Sequence, residues 1–201
     1  MPVSRGTIPI RRRDGGSIVT WNGSIRRHYQ TCWGRAGETG AFNRGPVSEL
    51  PDDFDVVVFP PHGDRTMWTY ATVGMAQPGD DAPIELHLFS PDRSEAIVEI
   101  LYAVAHYHRT GTRLGLGDSV NFSRPWLPGA TCDHGLISLP YLDGPVLEVG
   151  TIGGDTVHFY WLVPITAAEK AYKVQHGLEA LETRFEEGAL DYVNPARPSM
   201  V

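Results

Sequence analysis

The stretch DVVVFPP, residues 55–61, places the tightest limit on what this chain can fold into. Three valines and a phenylalanine in succession make an apolar run of strand length, and β-branched side chains fit a pleated surface better than a helix. Pro60 and Pro61 then end the run, because neither can donate to a ladder. The reading is a central strand, and the neighbouring sequence must supply the rest of its sheet.

It does so downstream. MWTYATVGM (67–75) has the aromatic and β-branched character of a second strand. In APIELHLFSP, Ile84, Leu86 and Leu88 alternate with Glu85, His87 and Phe89, which is the period-2 signature of a strand with two distinct faces. Further along, GLISLPYL, PVLEVGTI and TVHFYWLVPI are strand candidates, the last two joined by a GGD hairpin.

Two helices punctuate these runs. Ser90 as N-cap, Pro91 at the first helical position and Gly111 as a stop predict a helix over residues 91–110. Ile97, Leu101 and Val104 form its apolar stripe, with Ala96, Ile100, Ala103 and Tyr107 beside it. Thr166 followed by Glu169 is a capping box, so a second helix spans 167–187 with a pause at Gly177. Strands, helix, strands, helix is the order of an α+β fold, a mixed sheet with helices packed against it. No internal repeat or long linker divides the chain, and a single domain over residues 1–201 is expected. Before the first strand, GTIPIRRRDGGSIVTWNG reads as an edge hairpin carrying Arg11, Arg12 and Arg13, and residues 31–53 read as a surface connection.

The composition, 41% hydrophobic and 20% charged, is that of a chain able to bury a core. No run approaches the roughly 18 apolar residues of a membrane span, and the N-terminus lacks the apolar core of a signal peptide. A cytoplasmic location follows as an expectation, with Cys32 and Cys132 as reduced, structural thiols. The net charge of -7 is uneven. Seven arginines up to Arg35 leave the remainder strongly acidic, which argues against nucleic acid as a partner.

Catalytic signatures are sparse. RLGLGDS lacks a complete phosphate-binding glycine pattern and follows a helix, whereas a phosphate cradle lies between strand and helix. The chain has no GxSxG and no HExxH, and TCDHG offers Cys132 and His134 without a second ligand pair. His106 and His108 fall on different helix faces, one packed and one exposed. His62 and Asp64, on the loop after the first strand, have the right types for a base and its orienter, yet no nucleophile or metal is in view for them to serve. No metal, cofactor or catalytic residue is therefore assigned, and an enzyme centred on His62 and Asp64 stays as the lesser alternative.

An ordered series of segments carries more information than any single motif: DVVVFPPHGDRTMWTYATVGM, ELHLFSP, GLGDSVNFSRPW and HFYWLVPITAAEKAYKVQHGLEALETRFE. From about Asp53 to the end the chain resembles the suppressor of fused domain family. The resemblance implies a non-enzymatic protein-binding domain. The chain looks like the stand-alone bacterial form, whose members are thought to be immunity proteins that neutralise a polymorphic toxin by binding it. An intracellular adaptor for another protein or peptide is the alternative. In animal members the corresponding helix end and GD turn help to hold a bound peptide, which implies a partner-binding role for Tyr107 and Asp118. An acidic body suits a basic partner, with opposite charge accelerating encounter.

Overall fold

The computed structural model describes residues 20–40 and 47–201. In chain order its elements are α1 (Trp21–Trp33), β1 (Glu38–Thr39), a 3-10 turn (Val47–Glu49), β2 (Asp55–Phe59), β3 (Trp68–Val73) and β4 (Ile84–Ser90). There follow α2 (Glu95–Thr110), β5 (Ser119–Asn121), β6 (His134–Ser138), α3 (Pro145–Glu148), β7 (Val149–Ile152), β8 (Asp155–Ile165), α4 (Ala167–His176) and α5 (Leu178–Glu187). The strands form one sheet in the order β1-β2-β3-β4-β8-β6-β5, with β7 paired to β8 as a hairpin. β4 and β8 run parallel among antiparallel neighbours, so the sheet is mixed, as expected. Gly153 and Gly154 turn the β7-β8 hairpin, both at positive φ, where a Cβ would be strained.

Period-2 alternation sorts the side chains into two layers. Val56 and Val58 of β2, Tyr70 of β3, Ile84, Leu86 and Leu88 of β4, and Tyr160 and Leu162 of β8 meet Ile97, Leu101 and Val104 of α2 on one face. On the other face Val57, Phe59, Ala71, Val73 and Phe159 pack against Ile25, Tyr29 and Trp33 of α1. Further along that face Phe89, Leu136, Trp161 and Val163 receive Leu181 and Phe185 of α5. Helices thus cover both sides of the sheet, and this explains why β2 and β4 are buried nearly throughout.

Several expectations are corrected. Residues 21–33 are helical, where the sequence reading had the end of a hairpin up to Gly23 and a surface connection from Thr31. Thr20 caps this helix by accepting from the Gly23 amide at 3.0 Å, and Gly34 ends it in the left-handed region. The supposed surface connection over 31–53 contributes the end of α1, the edge strand β1 and the buried Leu50. The first sheet helix begins at Glu95 with Ser94 as N-cap. Ser90 is the last residue of β4 and pairs with Trp68, because a residue preceding proline is steered to extended geometry. Residues 145–148 form a helical turn, not strand. The short strand β5, which pairs with β6, was not anticipated. The Arg11 to Arg13 hairpin lies outside the described residues. No helix among the described residues is long and apolar enough to cross a membrane.

The last two helices form as expected. Thr166 accepts from the Glu169 amide at 3.2 Å and the Glu169 carboxylate accepts from the Thr166 amide at 2.8 Å, completing the capping box. Gly177, at positive φ, separates α4 from α5.

Candidate functional site

The loop after β2 does not present His62 and Asp64 as a pair. Reciprocal backbone hydrogen bonds between His62 and Arg65, at 2.9 and 3.1 Å, close a tight turn through Gly63 at positive φ. Both side chains at 62 and 64 face solvent. The inward residue of this turn is Arg65, which sequence reading passed over. Its guanidinium lies 5.4 Å from the Trp33 ring centre and 5.3 Å from that of Phe89. It pairs with the carboxylate of Asp143, which also accepts from the Trp33 indole N–H at 3.0 Å. His87 Nε2 stands 3.9 Å from the other carboxylate oxygen, beyond hydrogen-bond reach. Burial, reinforced by the Arg65 charge, lowers the His87 pKa to about 3, so the ring is neutral. This cluster ties the loop after β2 to α1 and to the turn before α3. Arg65→Met is expected to lower stability by about 2 kcal/mol, while His62→Ala and Asp64→Ala stay within about 0.5 kcal/mol. Urea titrations of the three variants check this, and a His62→Ala loss as large as that of Arg65→Met would refute the assignment.

The cysteines are also placed. Cys32 and Cys132 are both free, and burial pushes the Cys132 thiol up to about 11. Such a thiol carries almost no thiolate at neutral pH. Among the described residues no three His, Cys, Asp or Glu side chains gather as a metal site. His108 is buried and accepts from the Leu114 amide at 3.0 Å, whereas His106 meets Glu49 at 2.9 Å near the surface.

Tyr107 and Asp118 both lie at the surface, the first near the end of α2 and the second in the turn before β5. Tyr107 was read as flanking the buried stripe of α2. The structure leaves it 43% exposed, and Ala103 is exposed too; the buried face runs through Ile97, Val98, Ile100, Leu101, Val104, Ala105 and His108. Asp118 closes its own turn, accepting from the Gly115 amide at 2.8 Å, with Gly117 at positive φ. Lys173 of α4 donates to the Gly117 carbonyl and, at 3.3 Å, to the Ser119 hydroxyl. Burial lowers the Lys173 pKa, and the Asp118 charge acts in the opposite sense. Leu116, within the turn, and Val174, after Lys173, are exposed apolar side chains. β5 begins at Ser119, at one end of the strand order, and pairs on one side with β6.

Comparison with known proteins resolves the affiliation. The family model described as "Suppressor of fused protein (SUFU)" matches residues 51–198. The chain belongs to the suppressor of fused family. Among solved structures, a suppressor of fused homolog from Neisseria gonorrhoeae FA 1090 is similar at 31% identity and a TM-score of 0.77, over 90% of this chain and 97% of that one. The Sufu-Fu complex matches at 15% identity with a TM-score of 0.66, over 88% of this chain and 90% of that chain. Drosophila Suppressor of Fused matches at 14% identity with a TM-score of 0.67, over 88% of this chain and 50% of the Drosophila chain. The last two support the fold alone. No curated protein matches.

The suppressor of fused motifs gain physical reasons from the geometry. The Gly-Met turn after β3 and the Glu-Leu of β4 are one unit: the buried Glu85 carboxyl accepts from the Gly74 and Ala76 amides at 2.9 and 3.1 Å and meets the Thr72 hydroxyl. The Pro-Pro loop delivers Arg65 to Asp143.

Proposed function

We propose that this suppressor of fused domain is a non-enzymatic protein binder, and specifically an immunity protein that neutralises a bacterial toxin by direct binding in the cytoplasm. The observation that carries the reading is the surface around the Gly117-Asp118 turn. There an acidic side chain, the exposed Leu116 and Val174 and the edge strand β5 are offered together, and Tyr107 is exposed at the end of α2. A tyrosine supplies a large, semi-rigid contact with a polar tip, and an aspartate accepts charge-assisted hydrogen bonds from a basic partner. An edge strand adds backbone groups able to pair with an extended segment. The net charge of -7 suits a basic toxin domain.

The test is titration of the purified protein against the toxin domain encoded by a neighbouring gene. Tyr107→Ala and Asp118→Ala, each first shown to melt at the wild-type temperature, are expected to weaken binding by about fivefold or more. Wild-type affinity in both variants would remove this surface from the binding site. Absence of binding to the neighbouring toxin, with capture of another protein in its place, would favour an intracellular adaptor.

A further inference from the structure

A second feature lies one strand residue away from the Asp118 turn. Gly117 donates to the Ile137 carbonyl, and the next residue, Ser138, lines a cavity of about 740 Å³ between the sheet and α5. Its floor is aromatic and apolar: Trp161 and Val163 of β8, Phe185 of α5 and Tyr192 of the C-terminal segment. Phe89 stands behind this floor, its ring 5.3 Å from Trp161 and 5.8 Å from Tyr192. Glu179, Glu182 and Glu186 line the cavity from α5 at i, i+3 and i+7, one stripe of the helix. Among the described residues no lysine, arginine or histidine lines it. The nearby Arg184 is engaged elsewhere, with Tyr172 and Glu187.

Three details distinguish this cavity from an ordinary solvated acidic face. Glu182 is held in place, accepting from the Ser138 hydroxyl at 2.6 Å and the Tyr141 hydroxyl at 3.0 Å. Tyr141 and Leu142, on the opposite lip, are 58% and 46% exposed, so apolar surface is offered that no described residue covers. The indole N–H of Trp161 is buried without an acceptor among the described residues. Aromatic faces and carboxylates share one ligand preference, a cation with an apolar stem. The apolar lip adds a second, neighbouring apolar side chains on the same segment. Both together describe a basic peptide segment, and the volume is that of a site for several residues or a drug-sized ligand.

We propose that this cavity docks a basic segment of a partner protein, seating a lysine or arginine side chain between the aromatic floor and the α5 carboxylates. The proposal rests on the protein-binding reading above but names a different surface, continuous with the Asp118 turn through Ile137 and Ser138.

The experiment uses the full chain labelled with ¹⁵N, with the Trp161 indole resonance assigned by Trp161→Phe. The probe is the capped tripeptide acetyl-Leu-Arg-Leu-amide, compared with its citrulline analogue, which is neutral and nearly isosteric, and with methylguanidinium alone. A saturable shift of the Trp161 resonance is expected with the arginine peptide. Binding should weaken by about fivefold or more with citrulline, and by a similar factor in Glu179→Gln/Glu186→Gln, whose altered side chains lie on the exposed stripe and leave Glu182 intact. Asp118→Ala should bind the tripeptide as wild type does, so loss of toxin binding in that variant and failure of this cavity are separable. No saturable shift, or equal affinity for the citrulline peptide, would overturn the proposal. Methylguanidinium binding as tightly as the peptide would also overturn it, since the site would then take a free cation.

Discussion

Replacing Arg197 with methionine is expected to lower the stability of the fold by about 3–5 kcal/mol, the loss that follows when one member of a buried ion pair is removed. Arg197 is 3% exposed and Glu169 is fully buried. Two guanidinium nitrogens donate to the two carboxylate oxygens, at 2.6 and 3.0 Å, in the fork geometry that only arginine provides. The same guanidinium donates to the carbonyls of Pro164 and Pro198 at 3.0 and 2.9 Å. Glu169 in turn accepts from the Thr166 amide and from the Met200 amide at 2.9 Å. One ion pair therefore joins the start of α4, the end of β8 and the C-terminal segment. Methionine leaves the Glu169 charge in the interior with backbone donors alone. Urea midpoints of wild type, Arg197→Met and the double variant Arg197→Met/Glu169→Gln would measure this. The double variant should recover part of the loss, because the stranded charge is gone. A single-variant loss below about 1 kcal/mol would show that the pair is not what fastens the C-terminal segment. That segment carries Tyr192 and Leu190, which line the α5 cavity, so the pair also has a bearing on the shape of that cavity.

The elements that could be read from sequence are those whose signals are local. The alternation of Ile84, Leu86 and Leu88 with Glu85, His87 and Phe89 survives intact as the two faces of β4, because period 2 is fixed by backbone geometry. The capping box at Thr166 and the pause at Gly177 are local in the same sense. α1 was missed although Ile25, Tyr29 and Trp33 recur every four residues and Thr20 and Gly34 mark its ends. Asn22 and Gly23 in its first turn are poor helix formers, and tertiary packing on Phe59 and Phe159 overrides that preference. The polar clusters could not be read at all. Arg65 meets Asp143 across 78 residues of sequence and Arg197 meets Glu169 across 28, and nothing in composition or spacing announces such pairings. The α5 cavity was half visible: Glu179, Glu182 and Glu186 are plain in LEALETRFEE, but their facing Trp161 and Tyr192 come from elements that only the fold brings together.

Glu85 gives the protein a pH dependence of unusual sign for a carboxylate. Its side chain is fully buried in β4, and burial raises its pKa from 4.5 to about 7, against the opposing pull of its hydrogen bonds from Thr72, Ala76 and Gly74. The folded state then holds this proton more tightly than the unfolded chain does. The contribution of Glu85 to stability is therefore fully present below pH 4.5, declines as pH rises, and is lost above about 7. His87 and His108, lowered to about 3 and about 4 by burial, act in the opposite direction below pH 6.5, where the unfolded chain takes up protons that the folded one refuses. The three partly cancel in the wild type, so the Glu85 effect has to be read as a difference. Glu85→Gln is the suitable variant: its carbonyl still accepts from Gly74 and Ala76, and its amide can donate to the Thr72 hydroxyl as the protonated acid would. At pH 4.5 and below, the variant should match wild type within about 0.5 kcal/mol. As pH rises to 8 it should become more stable than wild type by roughly 3 kcal/mol, the free energy of holding a charge there that glutamine does not carry. Urea titrations of both proteins at half-unit intervals between pH 4.5 and 8 give the curve. A difference that stays flat across this range would mean that Glu85 titrates alike in the folded and unfolded chain, the Gly74 to Ala76 amides stabilising its charge as strongly as burial penalises it.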